Sequence, residues 1–210
     1  AYDLTTAASY ANAGMEGVGA YADAEGLYPA DGTVSGNLDT YDAYEQVSYV
    51  DYAEGIYIGY KWYETADAEG YWDGVSNEHG TGYDAVVQYP FGYGLSYTSF
   101  TQEITDFKQN DDSLTVEVTV KNTGDVEGKD VVELYFTPPY TNGGIEKAEA
   151  VLVGYAKTKM LQPGESDTVT IEVTAQDMAS YDWDDANNNG FAGYELEAGT
   201  YGLAVQRNSH

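Results

Sequence analysis

The sequence predicts a mainly β protein: a β-sandwich over residues 101–210, preceded by an irregular Tyr- and Gly-rich segment over residues 1–100. Three observations point there. Apolar residues alternate with polar ones at the period of two that half-buried strands require. Turn signals separate these stretches at short, regular intervals. Composition also changes near residue 100: of 22 tyrosines, 16 lie in residues 1–100, whereas seven of the eight basic residues lie in the remainder, leaving Lys61 as the one cation of the first part.

Taken in order, residues 1–53 carry Gly26-Leu-Tyr-Pro-Ala-Asp-Gly32 and many further Gly, Asp and Ala residues, a turn-rich composition without a sustained period. We expect wrapping loops there, with one short helix around Ser9 to Ala20. From Tyr49 to Glu64 the apolar density rises, and Ile56 and Ile58 alternate with Tyr57 and Gly59, which predicts a strand. Residues 65–84 read as polar loop. Asp84 to Tyr89 reads as a second short strand, ended by Pro90 and Gly92. This part has few Leu, Ile, Val or Phe residues, so it cannot bury enough aliphatic surface to offset its chain entropy. Packing against a partner surface is expected instead, because tyrosine offers a large buriable ring with a polar tip.

After Phe100 the order is regular. Leu114, Val116, Val118 and Val120 alternate with Thr115, Glu117, Thr119 and Lys121, and Val169, Ile171 and Val173 repeat the arrangement around Thr170 and Glu172. Ile104–Phe107, Val131–Phe136, Val151–Ala156, Gly193–Leu196 and Tyr201–Val205 bring the total to about seven strands. Asn122-Thr-Gly124 and Gln162-Pro-Gly-Glu165 supply turns between them. Leu196-Glu-Ala-Gly-Thr-Tyr201 has the form of a tyrosine corner, in which a Tyr hydroxyl bonds back to the chain at the edge of a sandwich.

A formal charge of −28 and a pI near 4.1 repel phosphate backbones and anionic lipid, which excludes nucleic acid and membrane surfaces as partners. No apolar run approaches the ~18 residues of a membrane span. The first residues lack the basic-then-apolar order of a signal peptide, so the chain is expected to start after processing or to be excised from something longer. With no cysteine there is no disulfide framework, which fits a cysteine-free secreted bacterial protein as well as a cytosolic one. A secreted, extracellular location is expected.

The segment Tyr89-Pro-Phe-Gly-Tyr-Gly-Leu-Ser-Tyr-Thr-Ser-Phe100, with Glu54-Gly-Ile-Tyr-Ile-Gly-Tyr-Lys-Trp-Tyr-Glu-Thr65 upstream, carries a family likeness. It resembles the seam of glycoside hydrolase family 3 enzymes, where the end of an α/β sandwich domain leads into a fibronectin type III-like domain. The resemblance covers nearly the whole chain. It implies a fibronectin type III-like (immunoglobulin-like) sandwich over residues 101–210, preceded by an α/β-derived segment. It also implies a parent enzyme of the β-glucosidase or β-xylosidase type that hydrolyses terminal β-linked sugars.

Glycoside hydrolysis needs two carboxyl groups across the scissile bond, and the family takes its nucleophile from a barrel-domain Asp in a Ser-Asp-Trp context. That tripeptide is missing here. Ser180-Tyr-Asp-Trp183 echoes it from within the sandwich half, and His79, in Asn77-Glu-His-Gly80, reads as a loop residue. No catalytic residue is therefore assigned, and no cofactor is required.

Two other groupings carry chemistry. Asp185-Ala-Asn-Asn-Asn-Gly190 matches the first half of a calcium loop, alternating Asp185, Asn187 and Asn189 as oxygen ligands before a turning Gly. The Glu expected six residues later falls on Leu196, with Glu195 and Glu197 on either side. A calcium site drawing on Asp182, Asp184, Asp185, Asn187 and Asn189 stands beside an Asx-rich hairpin turn whose side chains bond their own backbone. The aromatic residues Tyr60, Trp62, Tyr63 and Trp72 stand as a sugar-stacking face or as rings packed against another domain.

The reading is a non-catalytic accessory portion of a family 3-like protein, partnered by catalytic domains outside this chain. Two alternatives remain: a self-assembling, fibre-like extracellular subunit that binds copies of itself, and a carbohydrate-binding module.

Overall fold

The computed structural model describes residues 55–210. The loops and short helix expected in residues 1–53 lie outside the described residues. The chain divides into two compact units between Tyr89 and Pro90.

In the first unit, helix α1 (Tyr60–Ala68) starts directly after Gly59, whose φ of 59° ends the preceding extended course. Residues 56–59 are therefore turn and extended chain, and the strand expected there is replaced by the approach to a helix. The physical reason is hydrogen bonding: a strand needs a neighbour for every N–H and C=O, whereas a helix satisfies its own. Tyr63 and Ala66, three residues apart on α1, are buried, as an inward helix face requires. The stretch read as polar loop then forms a small antiparallel hairpin, β1 (Ser76–Asn77) with β2 (Gly80–Thr81). Helix α2 (Tyr83–Val86) stands where a strand over residues 84–89 was expected. Gly82, at φ 62°, opens this single turn, which buries Tyr83, Ala85 and Val86 together, and Val87 returns to extended backbone.

The core of this unit is Tyr63, Ala66, Trp72, Tyr83, Val86 and Val87, flanked by Trp62 and Val75. Half of those six buried residues are aromatic. Tyr63 and Trp72 stack with ring centres 5.9 Å apart, and the Trp72 indole N–H donates to the Tyr63 carbonyl at 3.2 Å. The buried carboxyl of Glu64 accepts the Tyr83 hydroxyl at 2.5 Å, so neither polar group is left unpaired inside.

The second unit contains all seven expected strands. They are β3 (Phe100–Gln109), β4 (Ser113–Asn122), β5 (Val131–Thr137), β6 (Val151–Lys157) and β7 (Ser166–Thr174), with β9 (Gly193–Glu195) and β10 (Gly202–Gln206) after them. An eighth, β8 (Ser180–Asp182), pairs with β9. One antiparallel sheet runs β3-β4-β7 and the other β10-β5-β6. The mainly β fold is thus as the sequence reads, with its strands in two sheets and a separate short hairpin.

Alternation decides which faces meet. Along β4 and β7 every second residue is buried, and Val116, Val118, Val120, Ile171 and Val173 join Val132, Leu134, Phe136 and Leu161 of the other layer's region in one core. Each fully buried Val contributes about 1.5–3 kcal/mol by leaving water. Gly154, opposite the register shift in β5, has no room for a side chain: a Cβ there would lie 2.5 Å from the Ile171 Cγ2 methyl group. Strand β3 is an edge strand, mostly exposed, and its register with β4 shifts between Ile104 and Asp106. Its charged residues and that irregularity are devices that discourage pairing with another chain.

Asn122 closes one end of the sandwich. It is fully buried, and its side chain makes four hydrogen bonds. The amide donates to the carbonyls of Val126 at 2.8 Å and Leu161 at 2.9 Å. Its Oδ1 accepts from the Thr98 hydroxyl at 2.7 Å and the Gly124 N–H at 3.1 Å. That satisfies its full capacity of two donors and two lone pairs. At the other end the tyrosine corner is present, the Tyr201 hydroxyl donating to the Glu197 carbonyl at 3.0 Å. Lys147, almost wholly buried, donates to the Pro139 carbonyl at 2.6 Å and to the Glu197 carboxylate, tying the 138–150 connection to that corner.

Candidate functional site

The aromatic residues singled out in the sequence divide by burial. Tyr63 and Trp72 are 1% and 3% exposed and stack on one another, so their faces belong to the core of the first unit and are closed to a sugar ring. Trp62 is partly buried, meeting Trp72 edge-on at 6.2 Å, and Tyr60 on α1 is likewise half-buried. Their spacing on a helix rather than a strand is what turns some of them inward: Tyr60 and Tyr63 sit three residues apart, on neighbouring positions of one face.

His79 lies at the tip of the β1–β2 hairpin with its side chain exposed, and its backbone N–H donates to Asn77 Oδ1 at 2.8 Å. Asp182, the carboxylate in the Ser180–Trp183 echo, is 1% exposed in strand β8 and accepts backbone N–H groups from Ala186 at 3.0 Å and Asp184 at 3.3 Å. Those donors, the Ala186 N–H above all, hold its carboxyl below the ordinary range, although burial opposes them. It is a clamp on the following loop.

That loop, residues 183–192, joins β8 to β9. Its Asn and Asp side chains fold it: Asp185 accepts the Gly190 N–H at 3.0 Å, Asn187 accepts that of Asn189 at 3.1 Å, and Asn189 accepts that of Phe191 at 2.8 Å. Asp185 and Asn188 both take φ near 57–58°, a left-handed conformation that Asp and Asn tolerate best after glycine. The Asx-turn arrangement weighed from the sequence is therefore built into the loop. Glu195 is the residue that sequence spacing did not select. Asn187 donates to its Oε2 at 3.2 Å, and Asn189 donates to the same oxygen. The sole signal for it was a Glu displaced by one position from the calcium-loop register.

Among the described residues, no group of three or more His, Cys, Asp or Glu is gathered to hold a metal ion. Two carboxylate oxygens stand out instead. Asp182 Oδ2 and Glu195 Oε1 are buried without a hydrogen-bond partner.

A different surface is exposed before β3. Phe91, Tyr93, Leu95 and Tyr97 are open to solvent, Leu95 at 89% and Tyr97 at 98%. Large exposed apolar side chains so close together are uncommon on a folded domain.

Residues 130–209 match the fibronectin type III-like domain. The match falls on β5 to β10 of the sandwich. Over 190 residues the chain is 39% identical to β-glucosidase A of Butyrivibrio fibrisolvens, covering 80% of this chain and 20% of that protein. It is 42% identical over 151 residues to the β-glucosidase of Ruminococcus albus, covering 71% of this chain and 14% of the relative. This chain carries the fibronectin type III-like domain of the glycoside hydrolase family 3 β-glucosidases. Among solved structures, the β-glucosidase of Paenibacillus barengoltzii superposes with a TM-score of 0.59 at 39% identity, covering 73% of this chain and 15% of that one. The chain thus spans about a fifth or less of the length of these family 3 relatives.

No helix among the described residues is long and apolar enough to cross a membrane.

Proposed function

We propose that this chain is a non-catalytic accessory portion of a family 3 β-glycoside hydrolase, and that it supports hydrolysis by catalytic domains whose surface it covers. The observation that carries this reading is the exposure of Leu95 and Tyr97, large side chains placed immediately before a sandwich whose core cluster does not include them. Side chains that a folded unit leaves in water, next to a core that does not need them, are suited to burial against another domain. The absence of a Ser-Asp-Trp segment from the 210 residues is in keeping with a chain that contributes scaffold rather than a nucleophile.

A chimaera tests the reading. The corresponding stretch of the Butyrivibrio β-glucosidase A is replaced by this chain and compared with a deletion of the same stretch. The proposal expects soluble, hydrolytically active chimaera, inactive or insoluble deletion, and no turnover of an aryl β-glucoside by this chain alone. A well-folded chimaera no more active than the deletion, or turnover by the isolated chain, would overturn it.

A further inference from the structure

The two orphaned carboxylate oxygens lie on the same side of the β8–β9 hairpin. Asp182 pairs with Gly193 and Ser180 with Glu195, so Asp182 and Glu195 are diagonal neighbours, which in an antiparallel pair places them roughly 7–8 Å apart at Cα with side chains on one face. The loop that leaves this hairpin folds back over them. Asn187 and Asn189 reach Glu195 Oε2, while the loop's backbone N–H groups reach Asp182 Oδ1. Each carboxylate therefore has one oxygen fixed by the loop and the other enclosed but unpaired.

That arrangement is costly as it stands. A buried carboxylate oxygen lacking a donor forfeits its hydration, and two such groups close together add repulsion. No ion pair among the described residues includes either residue: Lys147 is held by Glu197, and the remaining lysine pairs lie on β3 and around Glu165. The hairpin brings two anionic side chains onto one face, and no described Lys, Arg or His is ion-paired with either.

We propose that the β8–β9 loop binds one calcium ion between Asp182 Oδ2 and Glu195 Oε1, with further oxygen ligands drawn from the loop and from water. The ligand chemistry selects the ion. All the groups in reach are hard oxygens, with neither imidazole nor thiolate, which favours calcium or magnesium over zinc or copper. Calcium accepts six to eight oxygens in irregular arrangements, whereas magnesium demands a near-ideal octahedron, and an Asn-rich turn with two carboxylates offers the former. Two protein carboxylates rather than three make this a stabilising site of modest affinity. Asp184, beside the Asp182 carboxyl, is the further carboxylate of the loop, while the side-chain oxygens of Asp185, Asn187 and Asn189 each accept a backbone N–H that shapes the turn. Glu195 takes the place that the sequence register had given to Leu196. The role of the ion is to pin the hairpin that precedes the tyrosine corner, and it is independent of the accessory function proposed above.

The test uses the whole 210-residue chain. Terbium serves as a luminescent stand-in for calcium, sensitised by Trp183, whose neighbours in sequence are Asp182 and Asp184, and calcium is titrated against it. Melting is then followed in calcium, in magnesium at equal ionic strength and in chelator. We expect sensitised terbium emission that saturates at one ion per chain and that excess calcium displaces, and a calcium-dependent rise in Tm of about 5–10 °C at a concentration about 100 times the Kd. In Glu195→Gln the emission and the calcium-dependent rise are lost, while the Tm in chelator is unchanged or higher because an uncompensated charge has gone. A second variant, Asp182→Asn, keeps the oxygen that accepts the loop N–H groups and loses the calcium response likewise. Equal melting in calcium and chelator overturns the proposal. So does a rise that magnesium reproduces and Glu195→Gln retains, since that is screening of a surface carrying −28.

Discussion

The two units of this chain solve the same problem with different materials. The sandwich hides its backbone in two sheets and fills the space between them with Val, Ile, Leu and Phe, so that its core is continuous and every second residue of β4 and β7 belongs to it. The first unit uses rings: Tyr63, Trp72 and Tyr83 interlock around two short helices, and their polar tips are satisfied by Glu64 and by a main-chain carbonyl. Aliphatic packing between sheets is cooperative over many residues. The described part of the first unit shows a cluster of six buried side chains, and a small core gives less to offset the cost of ordering the chain. The difference teaches where stability resides among the described residues, in the aliphatic core between the two sheets.

Variants in one unit should therefore be felt very differently from variants in the other. The largest effect is expected at Asn122, where replacement by Leu strands the Thr98 hydroxyl and the Val126 carbonyl at a buried junction and leaves the Leu161 carbonyl with the Gly128 N–H alone. A loss of about 3 kcal/mol or more is expected in urea denaturation, since each stranded buried group costs about 1–3 kcal/mol. Gly154→Val comes next. Its side chain would drive into Ile171 where the two sheets approach, and overpacking of that kind costs about 1–3 kcal/mol. An unchanged midpoint in either variant would mean that the sandwich is not the seat of stability.

Smaller and dependent on pH is the effect of Glu133. Burial raises its carboxyl above the ordinary value, against a hydrogen bond from the Tyr135 hydroxyl at 2.7 Å that lowers it. A raised carboxyl favours the protonated folded state, so its contribution is fully present below the unfolded value near 4.5 and fades as pH rises through the folded value. Glu133→Gln should stabilise the chain at neutral pH and lose that advantage in acid. Stability curves of the two proteins that run parallel across this range would refute it. Least of all should the main transition respond to Trp72→Ala. Stripping the aromatic cluster of its central ring is expected to abolish near-ultraviolet signals of the first unit while moving the sandwich midpoint by less than about 0.5 kcal/mol, as for distant, independent sites. A larger displacement would join the two units energetically.

How much of this could be read from the residues follows the same division. Strands β4 and β7 were legible because period-two alternation over five or more residues has few other interpretations, the other five because short apolar stretches lay between turn signals, and the tyrosine corner because Tyr201 follows a Gly-containing turn at fixed spacing. Strand β8 was not, since Ser180-Tyr-Asp182 is too short to alternate and acquires its identity from pairing with β9. In the first unit the alternation of Ile56 and Ile58 spoke for a strand, but a strand exists only with a partner, and the helix beginning after Gly59 needs none. Residues 84–89 misled in the same way, a single helical turn being too brief to show a period. At the candidate cation loop the sequence supplied Asp182, Asp184, Asp185, Asn187 and Asn189, whose type and spacing are local. Glu195, one position off the expected register, was selected only by the fold, because the register of a hairpin, not distance along the chain, sets it against Asp182. Lys147 is of the same kind, a lysine 50 residues from the Glu197 that holds it.

The central proposal is that residues 90–210 fold by themselves and that residues 1–89, poor in aliphatic side chains, need a partner surface to do so. Producing the two pieces separately and following each by differential scanning calorimetry addresses it directly. The account predicts one cooperative transition for 90–210, close to that of the whole chain, and none for 1–89 alone. A cooperative transition of 1–89 in isolation, or a 90–210 piece that fails to melt as a unit, would contradict it.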